Sequence, residues 1–196
     1  MRGVGCLAAL ALLLATAGSV QAGDSLVPTP IGRGAAYHPA PRGPLVVAQR
    51  RIGGHACSRS AGQRFGAHLE LFGRGLVVIV PAGVGIAPPV QRSGASISTG
   101  GCFYPALTRE PTGVIEVASG IPLTLGTFFS FWGQPLGPRR LAGFRAIGTQ
   151  RVRAWVDGRS WRGDPRDVPL LPHAEIVLEL GRLIPPHVSY RFEKGL

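Results

Sequence analysis

Glycine and proline interrupt this chain so often that long regular elements have little room to form. There are 29 Gly and 18 Pro among 196 residues. Proline removes a backbone donor and fixes φ, and glycine adds freedom to the unfolded chain, so apolar runs must be short and joined by turns. Hydrophobic residues still make up 45% of the chain. That is enough for a packed core and too much for wholesale disorder. The length suits one domain with a tail.

The first residues read as an export signal. Met1-Arg2 is a short basic start, residues 4–16 are apolar, and Val20-Gln21-Ala22 offers a small residue for cleavage. Residues 1–22 are expected to leave as a signal peptide, and the alternative is an uncleaved anchor. No other transmembrane candidate follows, so the expected location is secreted or periplasmic. Residues 23–52 carry Pro28, Pro30, Pro39, Pro41 and Pro44 without a sustained apolar period. They read as a flexible Pro/Gly/Arg-rich leader. Its one apolar patch is Leu45-Val46-Val47. Residues 53–196 read as a single compact domain.

Export changes how the cysteines read. Cys6 lies in the apolar signal, which leaves Cys57 and Cys102 as an even pair in an oxidising compartment. They are expected to be bonded to each other.

The formal charge is +11, and every basic residue except Lys194 is Arg. Such a balance fits an anionic surface or cell-envelope component as partner. No aromatic-interleaved basic stripe appears, so no specific nucleic-acid site is expected.

Periodicity places the elements. In Ala67–Phe72, Ala67, Leu69 and Leu71 share one face while His68 and Glu70 share the other, which predicts a half-buried strand. Gly73-Arg74-Gly75 turns the chain into Leu76–Val80, a more fully buried strand. Residues 87–101 read as a mobile loop, and Gly113–Ala118 alternates again. Leu125, Phe128, Phe129 and Trp132 fall at i, i+3, i+4 and i+7, predicting a two-turn helix with Thr124 as N-cap and Gly133 as left-handed terminator. Arg151–Val156, the Asp157-Gly158 turn and Arg159–Trp161 predict a hairpin. In His173–Leu180, Ile176, Leu178 and Leu180 are expected inward, with Glu175 and Glu179 outward. Pro185-Pro186 opens a tail. This order predicts an α+β fold, a small mixed sheet with one short helix, β-grasp-like; the alternative is an all-β sandwich.

Several stretches taken together resemble a family of exported bacterial proteins of unassigned function, found in actinobacteria and other prokaryotes. They are Ala67–Ile86, Cys102-Phe103-Tyr104-Pro105, Gly113-Val114-Ile115, Leu125–Phe129, Trp132–Leu136, Val156-Asp157-Gly158 and Gly163–Arg166. The resemblance implies a His-rich signature: His-x-His-x-His on the first strand, His-Thr-His-Asp after the second Cys, and a further His on the next strand. Such imidazoles would suit Zn or Cu. Here only His68 matches. Arg64 and Gly66 stand at the first two positions, Leu107-Thr108-Arg109-Glu110 replaces the second cluster, and Glu116 stands at the last. Arg cannot ligate a metal and repels one. The expectation is therefore a polar cluster of Arg64, His68, Glu70, Arg109, Glu110 and Glu116, with no metal or other cofactor and His68 a weak metal candidate.

His38, His55, His173 and His187 read as surface or capping residues. There is no Gly-x-Ser-x-Gly elbow, phosphate-binding loop or His-Glu-x-x-His helix. The functional expectation is a non-enzymatic binding or structural module outside the cytoplasm. The alternatives are a metal-binding or metal-sensing protein centred on His68, and a hydrolase using Glu110 and Glu116.

Overall fold

The chain was described as a computed structural model covering residues 34–40, 51–186 and 189–196. The expected signal peptide, the Leu45-Val46-Val47 patch and His187 lie outside the described residues.

Along the chain, Ala36–Tyr37 forms β1, Arg64–Gly73 forms β2 and Leu76–Val78 forms β3. Ile86–Ala87 (β4), Gln91–Ser93 (β5), Ser96–Thr99 (β6), Cys102–Phe103 (β7) and Ala106–Leu107 (β8) follow as short strands before β9, Val114–Ala118. Helix α1 spans Leu125–Trp132. Leu136–Gly137 (β10), Arg140–Leu141 (β11) and Phe144–Arg145 (β12) make a small three-stranded sheet. Arg153–Val156 (β13), Arg159–Trp161 (β14) and Glu175–Leu180 (β15) complete the order, with a 3-10 turn at Pro165–Asp167.

The main sheet runs β1-β3-β2-β15-β13-β14, and β9 pairs with the first half of β2. β2 and β15 are parallel neighbours over six residue pairs, from Glu175 opposite His68 to Leu180 opposite Gly73. All other pairings in this sheet are antiparallel except β1 with β3. The protein is thus a mixed sheet carrying one helix.

One face of that sheet is the main core. Leu69, Leu71, Ile115, Val117, Ile176 and Leu178 pack against Leu125, Phe128, Phe129 and Trp132 of α1. The helix begins and ends as its sequence dictates. Thr124 is extended at the N-cap, although its hydroxyl makes no capping bond. Gly133 adopts φ 69°, where its N–H donates to the Phe129 carbonyl. The apolar stripe is wider than the periodicity alone indicated, because Phe131 is also buried. Its other side is covered by Tyr104, with ring centroids 5.0 Å apart, and by His55 at 6.0 Å. The disulfide Cys57–Cys102 ties that covering layer together, as expected.

Three expectations need correction. Residues 87–101 are not one loop: β5 and β6 form a hairpin, and Ile97 is buried with Ile86 and Leu107. Single apolar residues among Ser and Gly give no period, so this small cluster was invisible. Part of the leader is also ordered. β1 pairs with β3, Tyr37 sits edge-on to Phe144 at 4.7 Å, and Gln134 Nε2 donates to the Ala40 carbonyl.

The third correction matters most. His68, Glu70, Glu175 and Glu179 were expected on a solvated face, yet each is at most 1% exposed. The C-terminal segment lies across that face. Ile184 packs on Phe72, Val77 and Val177, Tyr190 stacks on His68 at 3.8 Å, and Phe192 crosses Gly66. Gly66 is required there, because a Cβ would stand 2.7 Å from Phe192 Cδ1. Both faces of the sheet centre are therefore covered, the usual condition of parallel pairs.

Two outcomes follow from this architecture. Replacing Cys57 and Cys102 by Ser is expected to lower unfolding free energy by about 2–5 kcal/mol, read from urea midpoints, since the bridge closes a 45-residue separation. Gly66→Val is expected to dislodge Phe192 and speed protease cleavage after Pro186, with the main core still folded by near-ultraviolet dichroism.

Candidate functional site

The expected polar cluster separates into two groups on one face of the sheet, one toward β8 and β9 and the other toward β15. Arg64 sits at the start of β2. Its Nε donates to the Ala61 carbonyl, Nη1 to those of Pro105 and Glu116, and Nη2 to that of Tyr104. All these partners are backbone, so Arg64 clamps β8 to β9. Burial lowers its hold on the proton, against the pull of Glu116.

Arg109 Nε donates to Glu116 Oε1 at 2.9 Å, and its Nη1 donates to the Ile97 and Ser98 carbonyls. Its guanidinium also lies over Phe103, 5.6 Å from the ring centre. Arg109 and Arg64 both favour the ionised form of Glu116. Burial pushes its carboxyl up more than Arg109 and Arg64 pull it down. Glu110 and Glu116 share a cleft of about 110 Å³ with Arg109, Thr112, Tyr190 and Glu193. Glu116 is occupied there by its arginine.

The second group was not legible as a group. His68, Glu70 and Glu175 each offer a ligand atom, and these atoms all lie within 4.8 Å of one another. The pairing explains the convergence. His68 on β2 stands opposite Glu175 on the parallel neighbour β15, and Glu70 follows His68 by two positions on the same face. Nδ1 of His68 meets both oxygens of Glu175, at 3.0 and 2.8 Å. Nε2 meets the Thr112 carbonyl at 3.0 Å. A carbonyl only accepts, so Nε2 carries hydrogen and Nδ1 faces the carboxylates. Gly113 allows this approach: it holds φ 83°, and a Cβ would stand 2.6 Å from the Leu69 carbonyl and 3.0 Å from His68 Nε2.

The neighbours of His68 are thus carboxylates and a carbonyl. The guanidiniums expected to have overwritten a cation pocket bond elsewhere. The cleft abuts this buried group, because Thr112 and Tyr190 belong to both. Sequence distance hid Glu175, which lies 107 residues from its imidazole partner. The other histidines stay apart: His38 is exposed, His55 rests on Phe131, and exposed His173 meets the Leu196 carbonyl from Nε2.

Glu179, further along β15, is the remaining buried carboxylate on this face. Its Oε1 accepts from the Ile184 amide at 2.8 Å, while Oε2 has no hydrogen-bond partner and lies 3.7 Å from Arg153 Nη2. Burial raises its pKa above the ordinary 4.5, opposed by the Ile184 amide and Arg153.

No family model, curated protein or solved structure matches the chain.

Glu179 gives a pH test. Its folded form holds a proton more tightly than the unfolded chain does. Its contribution is therefore most favourable at or below pH 4.5 and declines as pH rises through the folded pKa. Glu179→Gln retains an acceptor for the Ile184 amide and removes the charge. The variant should show a shallower fall of the urea midpoint above pH 4.5 than the parent, and identical slopes would contradict this assignment.

Proposed function

We propose that the protein is an exported, non-enzymatic binding module whose ligand is a divalent transition-metal cation held by His68, Glu70 and Glu175. The convergence of these three buried donors within 4.8 Å carries the reading. Arg64 and Arg109, expected in one cluster with His68, bond to backbone and to Glu116.

The chemistry of the donor set supports it. Metal-bound histidines commonly donate their second ring N–H to a backbone carbonyl, which fixes the tautomer and aims the other nitrogen at the metal. Thr112 provides that carbonyl, and Nδ1 of His68 faces the carboxylates. One nitrogen and two carboxylates gathered within 4.8 Å in a buried spot are a set of ligand atoms that suits a cation. Mixed nitrogen and oxygen ligands suit Zn²⁺ or Mn²⁺ better than soft Cu(I).

Export is supported by the Cys57–Cys102 bond, which persists in oxidising compartments. Among the described residues, no helix is long and apolar enough to cross a membrane. A β-grasp-like reading of the fold is supported by the strand order β3-β2-β15-β13, with the first and last core strands parallel at the centre and the helix between the two hairpins.

The test is direct. Protein stripped with a chelator and titrated with Zn²⁺ or Mn²⁺ in a calorimeter should take up one equivalent per chain. Substitutions His68→Ala, Glu70→Gln and Glu175→Gln should each weaken uptake by about tenfold or more. Co²⁺ should give a visible spectrum that His68→Ala abolishes. Failure of the parent protein to bind either ion stoichiometrically, or unchanged binding by a folded His68→Ala protein, would overturn the proposal.

A further inference from the structure

Five of the described carboxylates gather in one region, together with Arg109. Glu70, Glu110, Glu116, Glu175 and Glu193 belong to the buried cluster or its adjoining cleft. Away from them, guanidiniums gather around the turn that ends β15. Arg74, between β2 and β3, donates from its amide to the Leu180 carbonyl and from Nη2 to the Arg145 carbonyl. Arg153 Nη2 donates to the Gly181 carbonyl, and Arg182 follows. Arg145 of β12 stands directly opposite Arg140 of β11.

We propose that this end of the protein, carrying Arg74, Arg140, Arg145, Arg153 and Arg182, docks on an anionic lipid surface, with Ile147 and Leu183 as its apolar contacts.

The like-charged pair is the first support. Equal charges directly opposite on antiparallel strands oppose folding, so Arg140 and Arg145 are better accommodated when an anion lies over them. The second is the way the guanidiniums are held. Arg74 is fixed by the Arg145 carbonyl, a neutral partner that leaves its charge in place. Arg153 is held by the Gly181 carbonyl and meets buried Glu179 at 3.7 Å.

The third support distinguishes lipid from other polyanions. Ile147 and Leu183 are 62% and 56% exposed, the highest values among the exposed large apolar residues described. Each lies within two positions of an arginine in the patch. Both are held out by ordered structure. Reciprocal bonds between Ile147 and Gln150 close the turn that presents Ile147. Leu183 precedes Ile184, which is anchored by Glu179 and packed on Phe72 and Val177. Arginine beside short apolar projections suits the headgroup boundary of an anionic bilayer. A single-stranded nucleic acid would call for exposed aromatic rings, and the exposed large apolar residues described are all aliphatic.

Sedimentation with vesicles tests this. The purified protein should bind phosphatidylcholine vesicles containing phosphatidylglycerol, should not bind phosphatidylcholine alone, and should be released by salt. Replacing Arg140 and Arg145 together by Glu should lower binding by about twentyfold or more. Ile147→Ser with Leu183→Ser should also lower it, without altering salt sensitivity. As a control for net charge, Arg59→Glu with Arg92→Glu changes the total equally at exposed positions outside the patch and should leave most binding intact. The proposal is overturned if the parent ignores the anionic vesicles, if the control loses as much as the patch variant, or if the serine variant binds like the parent. Displacement from vesicles by single-stranded RNA that is bound more tightly through the same arginines would also overturn it. Unchanged melting temperatures identify the variants fit for comparison.

Discussion

The parallel pairing of β2 with β15 is the constraint on which the rest depends. It joins residues more than a hundred positions apart and occupies the middle of the sheet. A central strand cannot leave one side in water unless that side is polar and open. Here the second side is closed by Ile184, Tyr190 and Phe192. Once that closure is in place, every side chain of β15 is buried, including two carboxylates, and so are His68 and Glu70 of β2. The site is thus a consequence of covering a face that the strand pattern marks as polar.

Much of the scaffold was legible in sequence because its signals are local. The helix announces itself through Leu125, Phe128, Phe129 and Trp132 and stops at Gly133. The hairpin at Asp157-Gly158 is marked by its turn, where both residues have positive φ, 50° and 73°. Cys57 and Cys102 were the one thiol pair left once Cys6 was assigned to an expected signal peptide. Local alternation also placed β2, β9 and β15 correctly. It failed at the next level, because period two reports which residues share a face and not whether that face meets water. His68, Glu70, Glu175 and Glu179 were assigned to the right face and the wrong environment.

The same limit explains the site. The family resemblance suggested a cluster of His68 with Arg64 and Arg109, and each of those arginines is used on backbone or on Glu116 instead. The partner that matters, Glu175, is brought in by register. No signal near residue 68 points to residue 175. Only the parallel pairing of two strands from opposite ends of the domain, argued before their environment, could have put them together. The absence of ordinary punctuation in the tail had a similar effect: Pro185-Pro186 read as an ending, whereas the chain beyond it supplies rings that lie on His68 and Gly66.

Burying a histidine with two glutamates is poorly explained by stability alone. Removing paired charges from water costs several kcal/mol per ion, and a hydrophobic replacement of similar volume is often no less stable. Glu179 illustrates the cost on the same strand: with one oxygen satisfied and the other unbonded, burial drives it toward its neutral form. Glu175 differs because His68 sits against both of its oxygens. Glu70 adds a third ligand atom, within 4.8 Å of the other two. Under the proposed function a divalent cation would be held by all three, with the imidazole anchored on the far side by Thr112. The proposed function rests on this cluster because its three ligand atoms converge, whereas the Glu116 carboxylate of the neighbouring cleft is already bonded to Arg109.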